Sequence, residues 1–519
     1  MASKDNKRIA KNTFFLYIRM FLLFAVNFYA TRVLLNALGA DDYGLYNVVA
    51  GFVAMLGFMN QSMTNSIQRF INFQLGKGEK KGLLKYFKAC LTAQLMLGIF
   101  IVLIFETFGL WFLNAKMNIL PDKVFDANVV FQMSCLCLLV NIIRAPYNAI
   151  IIAKEKMNFY AYISVAEAAV KLLVTFSISW VVTYRLSFYA VMLLVLTVVV
   201  YFLTLIYSKK QIPDLKFQLY FRKDIFKEVL SFSGWNLFGA ASGAIKSQGI
   251  NVLMNLFFNT VINAARGIAF QVLSGIQQFV SNFQVAINPQ IVQSYASGDK
   301  NRYLKLTYLS AKLSLYLMWI IALPVMASLN LILDVWLGKE IVPEYTSQFV
   351  YIILFTGLFD ALGSSISVPL YATGNIKQYQ IITSSIKFMV LPISYILYRI
   401  GFGPAASMYV SLFLAGIEQT SRVVIWGRLV EESPLVYLNK VIFPALIVIG
   451  ISSFVIYIIG DYVATLSTII SFGINTILSL LIAVVMIYFV GLDRIERNQI
   501  VNIVRKKYKY DYWLYYRCL

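Results

Sequence analysis

Histidine is absent from this chain of 519 residues, and cysteine occurs only four times, at Cys90, Cys135, Cys137 and Cys518. The lack of histidine removes the commonest general base and the commonest metal ligand of proteins. The cysteine spacing fits neither a disulfide framework nor a zinc motif. The sequence therefore predicts no metal site and no cofactor.

Charged residues are scarce as well, and the motifs of soluble enzymes are missing. Only 13% of the residues are charged and 60% are hydrophobic, with a mean hydropathy of +0.72. A water-soluble domain of this composition would aggregate. The connections between apolar segments contain no Walker motif, no glycine-rich nucleotide loop and no catalytic carboxylate pair, and none exceeds roughly 25 residues, which is too short for a catalytic domain. We therefore predict that the protein is not an enzyme.

Long apolar segments are what the sequence has in abundance. Each is close to or above the ~20 residues that a helix needs to cross the hydrocarbon core of a bilayer. They predict an all-α integral membrane protein with about 14 transmembrane helices. The predicted spans are residues 14–36, 43–70, 89–113, 127–147, 159–182, 188–207, 232–257, 261–287, 306–337, 349–371, 379–398, 404–426, 441–459 and 466–490.

The basic residues, which give a formal net charge of +21, lie mainly on one side of this map. About 30 of the 45 Lys and Arg residues fall in the connections that share a side with both termini, and about 5 fall on the other side. Because basic loops are retained in the cytoplasm, both termini are predicted to be cytoplasmic. The basic excess then faces anionic lipid headgroups, and no nucleic-acid partner is predicted.

An internal repeat divides the chain. Gly78 and Leu84 have counterparts at Gly298 and Leu304, in both cases 220 residues later. Six spans per half give the halves the same orientation, so a pseudo-two-fold axis along the membrane normal relates them. The predicted parts are an N-terminal six-helix lobe at 12–208, a cytoplasmic basic linker at 209–227, a C-terminal six-helix lobe at 228–428, two additional helices at 441–490 and a basic cytoplasmic tail at 491–519.

Charges inside the spans are the functional candidates, because a polar group within a bilayer needs a hydrated cleft. Ten basic residues and five acidic residues lie within the predicted spans. This cationic interior favours an anionic substrate such as a phosphate. Asparagine and glutamine side chains on the same spans add a hydrogen-bonding surface for a sugar, although part of that set serves to cross-link helices.

Lys246 is the strongest candidate, since it lies about 14 residues into its span, near 21 Å from the inner end. An unpaired ammonium at that depth costs several kcal/mol. The glycines and serine on its face, Gly239, Ser242, Gly243 and Gly249, form either a helix-packing seam or a cavity wall. A packing seam explains the glycines but not the lysine, so we predict that Lys246 binds substrate.

The other charges leave alternatives open. Arg19, Arg32 and Arg266 lie near span ends, where they either anchor the helix at the interface or reach the cavity. Glu167 with Lys171, and Glu418 with Arg422, are spaced four residues apart, which lets the two charges of each pair neutralise each other. Each pair is either a purely structural ion pair or part of the functional site. Asp360 and Lys387 either pair across helices or one of them carries a proton. The predicted substrate-binding cations are Lys246, Arg19, Arg32, Arg266, Lys171 and Lys387, and the predicted ion-coupling carboxylates are Asp360, Glu167 and Glu418.

Several short motifs are distributed over nearly the whole chain. They are Asn12-Thr13, Leu38-Gly39 with Asp42-Tyr43-Gly44-Leu45-Tyr46-Asn47, Gln68-Arg69-Phe70, Pro289 with Ala296-Ser297-Gly298-Asp299, and Tyr371-Ala372 with Gly374. A chain with these motifs resembles the Wzx-type flippases of bacterial polysaccharide and O-antigen assembly. Those flippases belong to the multidrug, oligosaccharidyl-lipid and polysaccharide exporter superfamily.

The resemblance implies a flippase of the bacterial inner membrane that works by alternating access. Its substrate would be a polyprenyl-diphosphate-linked oligosaccharide for polysaccharide, O-antigen, lipopolysaccharide or capsule biosynthesis. Membrane lipids and other polysaccharide assembly proteins would be its partners. The family's cationic cavity residues transfer best to Lys246 and less securely to Arg19, Arg32 and Arg266. The alternatives are a cation-coupled small-molecule or drug antiporter of the same fold, which would be expected to have an acidic interior, and a membrane-embedded enzyme or assembly scaffold.

Overall fold

A computed structural model describes residues 2–498 apart from 39, 55, 116, 118, 120, 216, 259, 338–341, 464–467 and 495. Within this part of the chain all regular structure is helical, which confirms the predicted fold class. The helices are α1 Ala2–Leu38, α2 Ala40–Ala54, α3 Gly57–Lys77, α4 Lys80–Ile104, α5 Leu110–Ala115, α6 Val124–Ala153, α7 Met157–Ser177, α8 Arg185–Gln211, α9 Lys223–Phe257, α10 Thr260–Ala296, α11 Lys300–Ala327, α12 Leu329–Leu337, α13 Thr346–Thr373, α14 Lys377–Arg399, α15 Ala406–Val430, α16 Pro434–Tyr437, α17 Phe443–Val463 and α18 Thr468–Met486.

Nine helical segments among the described residues are long and apolar enough to cross a membrane. The remaining five predicted spans coincide with α1, with α2 and α3 together, and with α9, α10 and α15. One predicted span, 306–337, is interrupted at Ser328 between α11 and α12. Pro324, which lies inside α11, lacks an N–H and crowds the preceding turn of that helix.

The repeat offset is visible in the helix boundaries. The first residues of α4 and α11, Lys80 and Lys300, are 220 positions apart, and so are the first residues of α7 and α14, Met157 and Lys377. We call two residues repeat-equivalent when they are 219 or 220 positions apart, in the corresponding helices or turns of the two halves. The assignment of whole lobes to 12–208 and 228–428 stays a prediction.

The turns that precede α4 and α11 share one backbone geometry. Gly78 and Gly298 have φ values of +71° and +78°, a left-handed conformation that side-chain-bearing residues rarely adopt. The N–H of each glycine donates to a carbonyl three residues back, at 3.1 Å in both turns. Each glycine therefore ends one helix in the tight C-terminal motif that lets the next begin two residues later.

The chain forms two compact units. Unit 1 contains residues 1–245, 282–306 and 368–385, so it includes adjoining ends of α9, α10, α13 and α14. Its core lies among α2, α4, α6 and α8, around fully buried side chains such as Val49, Val130, Phe131 and Tyr189. Unit 2 contains residues 246–281, 307–367 and 386–519.

Within unit 2, one face of α11 holds the segments that follow α15. Four side chains on α11, spaced three or four residues apart and therefore on one face, donate hydrogen bonds to these segments. Three of the four acceptors lie beyond residue 440, so this face anchors the two additional helices. The bonds run from Tyr308 to Glu432 at 2.9 Å, from Lys312 to Glu496 at 2.9 Å, from Tyr316 to the Gly491 carbonyl at 3.0 Å and from Trp319 to Ser452 at 2.8 Å.

Candidate functional site

A cluster of charges in unit 2 is centred on Glu418 of α15. The Glu418 carboxylate is buried and forms ion pairs with Lys387 of α14, at 3.5 Å, and with Arg422 one turn further along α15. The pair expected from the four-residue spacing is therefore present. Lys387 forms its pair across helices, but with Glu418 rather than with Asp360.

Lys246 and Asp360 belong to the same cluster. Lys246, on α9, is half-buried and lies within electrostatic range of Asp360, Glu418, Lys387 and Arg422. Neither Lys246 nor Asp360 has an oppositely charged atom within 4 Å among the described residues. The Asp360 side chain is exposed midway along α13, and because a carboxylate at that depth is not stable against lipid, it faces polar space. Three cations and two carboxylates give the cluster one excess positive charge.

Gly363 sets how closely α15 approaches α13. A side chain at this position would occupy the space of the Arg422 guanidinium. Gly363 follows Asp360 by three residues on α13, so the two lie on one face of the helix. The glycine therefore allows the Arg422 side chain to lie beside the face that carries Asp360.

The small-residue stripe beside Lys246 combines the two roles that the sequence left open. A Cβ atom on Gly239 would meet Gln380, and one on Gly249 would meet Leu391, so both glycines serve close packing against α14. Gly243 has no atom within 4 Å of its Cβ position and borders open space. The stripe is thus a packing seam at its two ends and an open wall at Gly243.

The second group of intramembrane charges lies in unit 1. Both terminal nitrogens of Arg144, on α6, donate to one Glu167 oxygen, on α7, at 3.3 Å. The expected pair between Glu167 and Lys171 does not form, because the Arg144 guanidinium from the neighbouring helix takes the carboxylate instead. Lys171 lines a cavity of about 300 Å³ formed by α2, α6, α7 and α8.

The predicted arginines make contacts of their own. Arg19 is half-buried, with its guanidinium 4.7 Å from the centre of the Tyr160 ring. Arg266 is buried, lies 4.4 Å from the centre of the Phe270 ring and donates a hydrogen bond to the Asn251 side chain on α9. The Arg32 side chain lies outside the described residues.

Glu155 is a functional candidate that sequence reasoning missed. It lies in the turn between α6 and α7 with φ of +54° and is buried. Its carboxylate accepts hydrogen bonds from Arg8 at 2.7 Å and Asn12 at 3.4 Å, both on α1, and from Gln290 on α10 at 3.2 Å. One carboxylate thus joins helices from both predicted lobes, within unit 1.

Arg69 makes the reciprocal contact. Arg69 Nε, on α3, donates to the Tyr371 carbonyl at 3.0 Å near the end of α13, and the guanidinium lies 3.5 Å from Glu228. A Cβ atom on Gly374, the left-handed residue of that turn, would lie 2.6 Å from Arg69. Gly374 and Glu155 are repeat-equivalent. The corresponding turn of each half therefore contacts a side chain of the other half, Gln290 in one case and Arg69 in the other. We call these two sets of bonds the turn contacts.

Comparisons with known proteins relate the fold to transporters. No protein-family profile matches the chain, and no curated protein matches it. An outward-facing multidrug resistance transporter of the MATE family, in the MOP superfamily, has a TM-score of 0.69 at 12% identity and covers 82% of this chain and 96% of its own. A MOP superfamily transporter from Pyrococcus furiosus Vc1 has a TM-score of 0.67 at 12% identity with the same coverage. The chain thus has the same overall fold as these two membrane transporters.

Proposed function

We propose that this protein is a flippase that moves a polyprenyl-diphosphate-linked oligosaccharide across the bacterial cytoplasmic membrane for the biosynthesis of polysaccharide, O-antigen or capsule. The excess cation in the unit 2 cluster is the observation that carries the proposal. Lys387 and Arg422 are both occupied by Glu418, whereas Lys246 has no ion pair among the described residues. An acidic group on the substrate supplies the missing counter-charge.

The proposed site divides the work among its members. Lys246 binds the diphosphate as a point charge, while the pairs of Glu418 with Lys387 and Arg422 keep the surrounding charges in place. The open wall at Gly243 leaves room beside the lysine for a headgroup. Arg19 is half-buried and stays a predicted secondary contact for the substrate. Arg32 and Arg266 are assigned weaker roles, since Arg266 is occupied by Asn251.

Transport is proposed to proceed by alternating access, with both termini in the cytoplasm. The turn contacts then lie on the cytoplasmic side. In one state they hold α1 to α10 and α3 to α13 through the turns, and in the other state these bonds are broken. Because the sequence has no nucleotide-binding loop, the driving force comes from an ion gradient. Asp360 is the best candidate for coupling, since Glu167 and Glu418 are already paired with cations.

One comparison bears on the substrate class. For the Pyrococcus furiosus transporter, reverse polarity of the binding pocket was reported to suggest a different function within the superfamily. The superfamily fold thus accommodates binding pockets of different charge. A cationic site fits a diphosphate, whereas the multidrug transporters that share the fold favour the alternative of a drug antiporter.

The test is reconstitution of the purified protein in liposomes that contain a fluorescent polyprenyl-diphosphate oligosaccharide. Quenching by a membrane-impermeant reductant measures how much substrate reaches the outer leaflet. We expect protein-dependent flipping in the wild type, lost in Lys246→Ala and kept in Lys81→Ala, an exposed lysine. Export of a cationic dye from the same liposomes, without oligosaccharide flipping, would establish the drug antiporter instead.

A further inference from the structure

Unit 1 contains a cavity that the proposed substrate site does not use. Its volume is about 300 Å³, enough for roughly ten water molecules at ~30 Å³ each. Its polar lining comes from Tyr46, Ser134, Asn141, Glu167, Lys171 and Thr197. Ser134 and Asn141 are seven residues apart on α6 and so share one helix face.

The charges around this cavity do not balance. Arg144, whose side chain is only 9% exposed, takes the Glu167 carboxylate at 3.3 Å. Among the described residues Lys171 forms no ion pair of its own, and Glu167 is the one described carboxylate that lines the cavity. Among the described residues, no side chain forms a hydrogen bond with the Lys171 ammonium, the Asn141 amide or the Ser134 hydroxyl. A partly buried ammonium in this position costs several kcal/mol unless a partner is supplied.

We propose that this cavity binds a small inorganic anion, such as chloride or phosphate, with Lys171 as its charged ligand and Asn141 and Ser134 as hydrogen-bond donors. An anion neutralises the net charge of the group formed by Arg144, Glu167 and Lys171. A metal cation would raise that net charge further, and its one available carboxylate is already occupied by Arg144. The volume leaves space for water around the anion, so the site tolerates anions of different size.

An anion that binds the folded protein raises the thermal stability of the protein by mass action. The full-length wild-type protein in detergent is unfolded thermally, followed by tryptophan fluorescence, during titration with chloride or phosphate against gluconate at constant ionic strength. We expect a saturable rise in Tm for the wild type and for Lys171→Arg. The rise should be absent in Lys171→Met and unchanged in the matched control Lys81→Met, at an exposed position. An equal rise in Lys171→Met would overturn the proposal.

A second variant should strengthen anion binding, whereas Lys171→Met removes it. Glu167→Gln removes the competing carboxylate, so the cavity gains positive charge and the anion should bind several-fold more tightly. If sodium in place of choline, at constant chloride, produced the stabilisation and Glu167→Gln abolished it, the cavity would be a cation site and the anion assignment wrong. No transport substrate takes part in these measurements, so they are independent of the flippase proposal.

Discussion

Glu167 of α7 and Lys387 of α14 occupy repeat-equivalent positions, 220 residues apart, and carry opposite charges. In the first half Glu167 pairs with a cation from α6, Arg144, at 3.3 Å. In the second half Lys387 pairs with a carboxylate from α15, Glu418, at 3.5 Å. The α13 helix, the counterpart of α6, contributes the carboxylate Asp360. The same pair of helices thus carries charges of reversed polarity in the two halves.

The difference shows what the repeat conserves and what it leaves free. Mid-helix polar positions recur in both halves, whereas the sign of the charge does not. Lys246 itself is repeat-equivalent to Asn27 on α1, a neutral residue. The residue proposed to bind the diphosphate, Lys246, is therefore assigned to the second half, where a lysine stands at the position that an asparagine occupies in the first half. Four predictions test or refine this division, from the largest expected effect to the smallest.

Reversing the charge of Lys246 should have the largest effect. Lys246→Glu sets like charge against the diphosphate and is expected to abolish flipping. Lys246→Ala removes a charged hydrogen bond worth on the order of 2 kcal/mol, about 30-fold in affinity, and Lys246→Arg should retain part of the activity. The liposome assay measures all three, with Lys81→Ala at an exposed position as the control. Normal polysaccharide export by Lys246→Glu at wild-type protein levels would refute the assignment.

Breaking a turn contact should have the next largest effect. Arg69→Ala removes a buried, charged hydrogen bond to the Tyr371 carbonyl, worth about 1.5–3 kcal/mol, and so favours the state in which these turns separate. A cysteine at Ser66, which is fully buried, should then react faster with an impermeant thiol reagent in a cysteine-free background.

Gly374→Ala tests the same contact from the opposite side, because its Cβ atom displaces the Arg69 side chain. It should accelerate labelling of the cysteine at position 66 as well. Lys81→Ala serves as the control. Unchanged labelling rates in both Arg69→Ala and Gly374→Ala would show that the turn contacts do not limit opening.

Gly363→Ala should lower the rate of flipping moderately and leave the stability of the protein almost unchanged. The new methyl group displaces the guanidinium of Arg422, which is flexible enough to move, so the free energy of unfolding should change by less than about 1 kcal/mol. Flipping should fall several-fold, since the charge cluster is rearranged. Gly243→Ala, at a position bordered by open space, is the matched control and should remain active. Equal activities of the two variants would argue against a functional role for the position of Arg422.

The smallest expected difference concerns α4 and α11. Lys88 and Tyr308 are repeat-equivalent, and each donates a side-chain hydrogen bond, to Gln218 and to Glu432. The Lys88 bond is exposed, so Lys88→Ala should change the free energy of unfolding by no more than about 0.5 kcal/mol. Tyr308→Phe should cost about 1 kcal/mol, because its bond is partly buried. Thermal unfolding of both variants measures the difference, and a larger loss in Lys88→Ala would contradict it.

The sequence predicted the features that follow from local spacing. The helices depend on apolar length, and the pair of Glu418 with Arg422 depends on a spacing of four residues. The repeat offset is found by comparing the two halves of the sequence. The expected pair of Glu167 with Lys171 was wrong because Arg144, 23 residues earlier, competes for the carboxylate. Spacing along one helix carries no information about a guanidinium on the next.

Glu155 was missed for a different reason. Its importance comes from a left-handed turn and from Gln290, a partner 135 residues away. A non-glycine residue in that conformation is uncommon, and nothing in the local sequence marks it. The repeat contained one usable signal, because position 155 is equivalent to Gly374, a motif glycine.

The bonded face of α11 has a consequence for how the chain is made. During synthesis α11 enters the membrane long before α17 and α18 exist, so the Trp319 indole and the Lys312 ammonium have no partners at Ser452 and Glu496. Until then Lys312 must reach the interface along its own stem. In a chain truncated after α15, the Trp319 indole and the Lys312 ammonium keep lacking these partners. The last two helices and the segment that follows them thus supply hydrogen-bond acceptors that this face of α11 lacks until they have been synthesised.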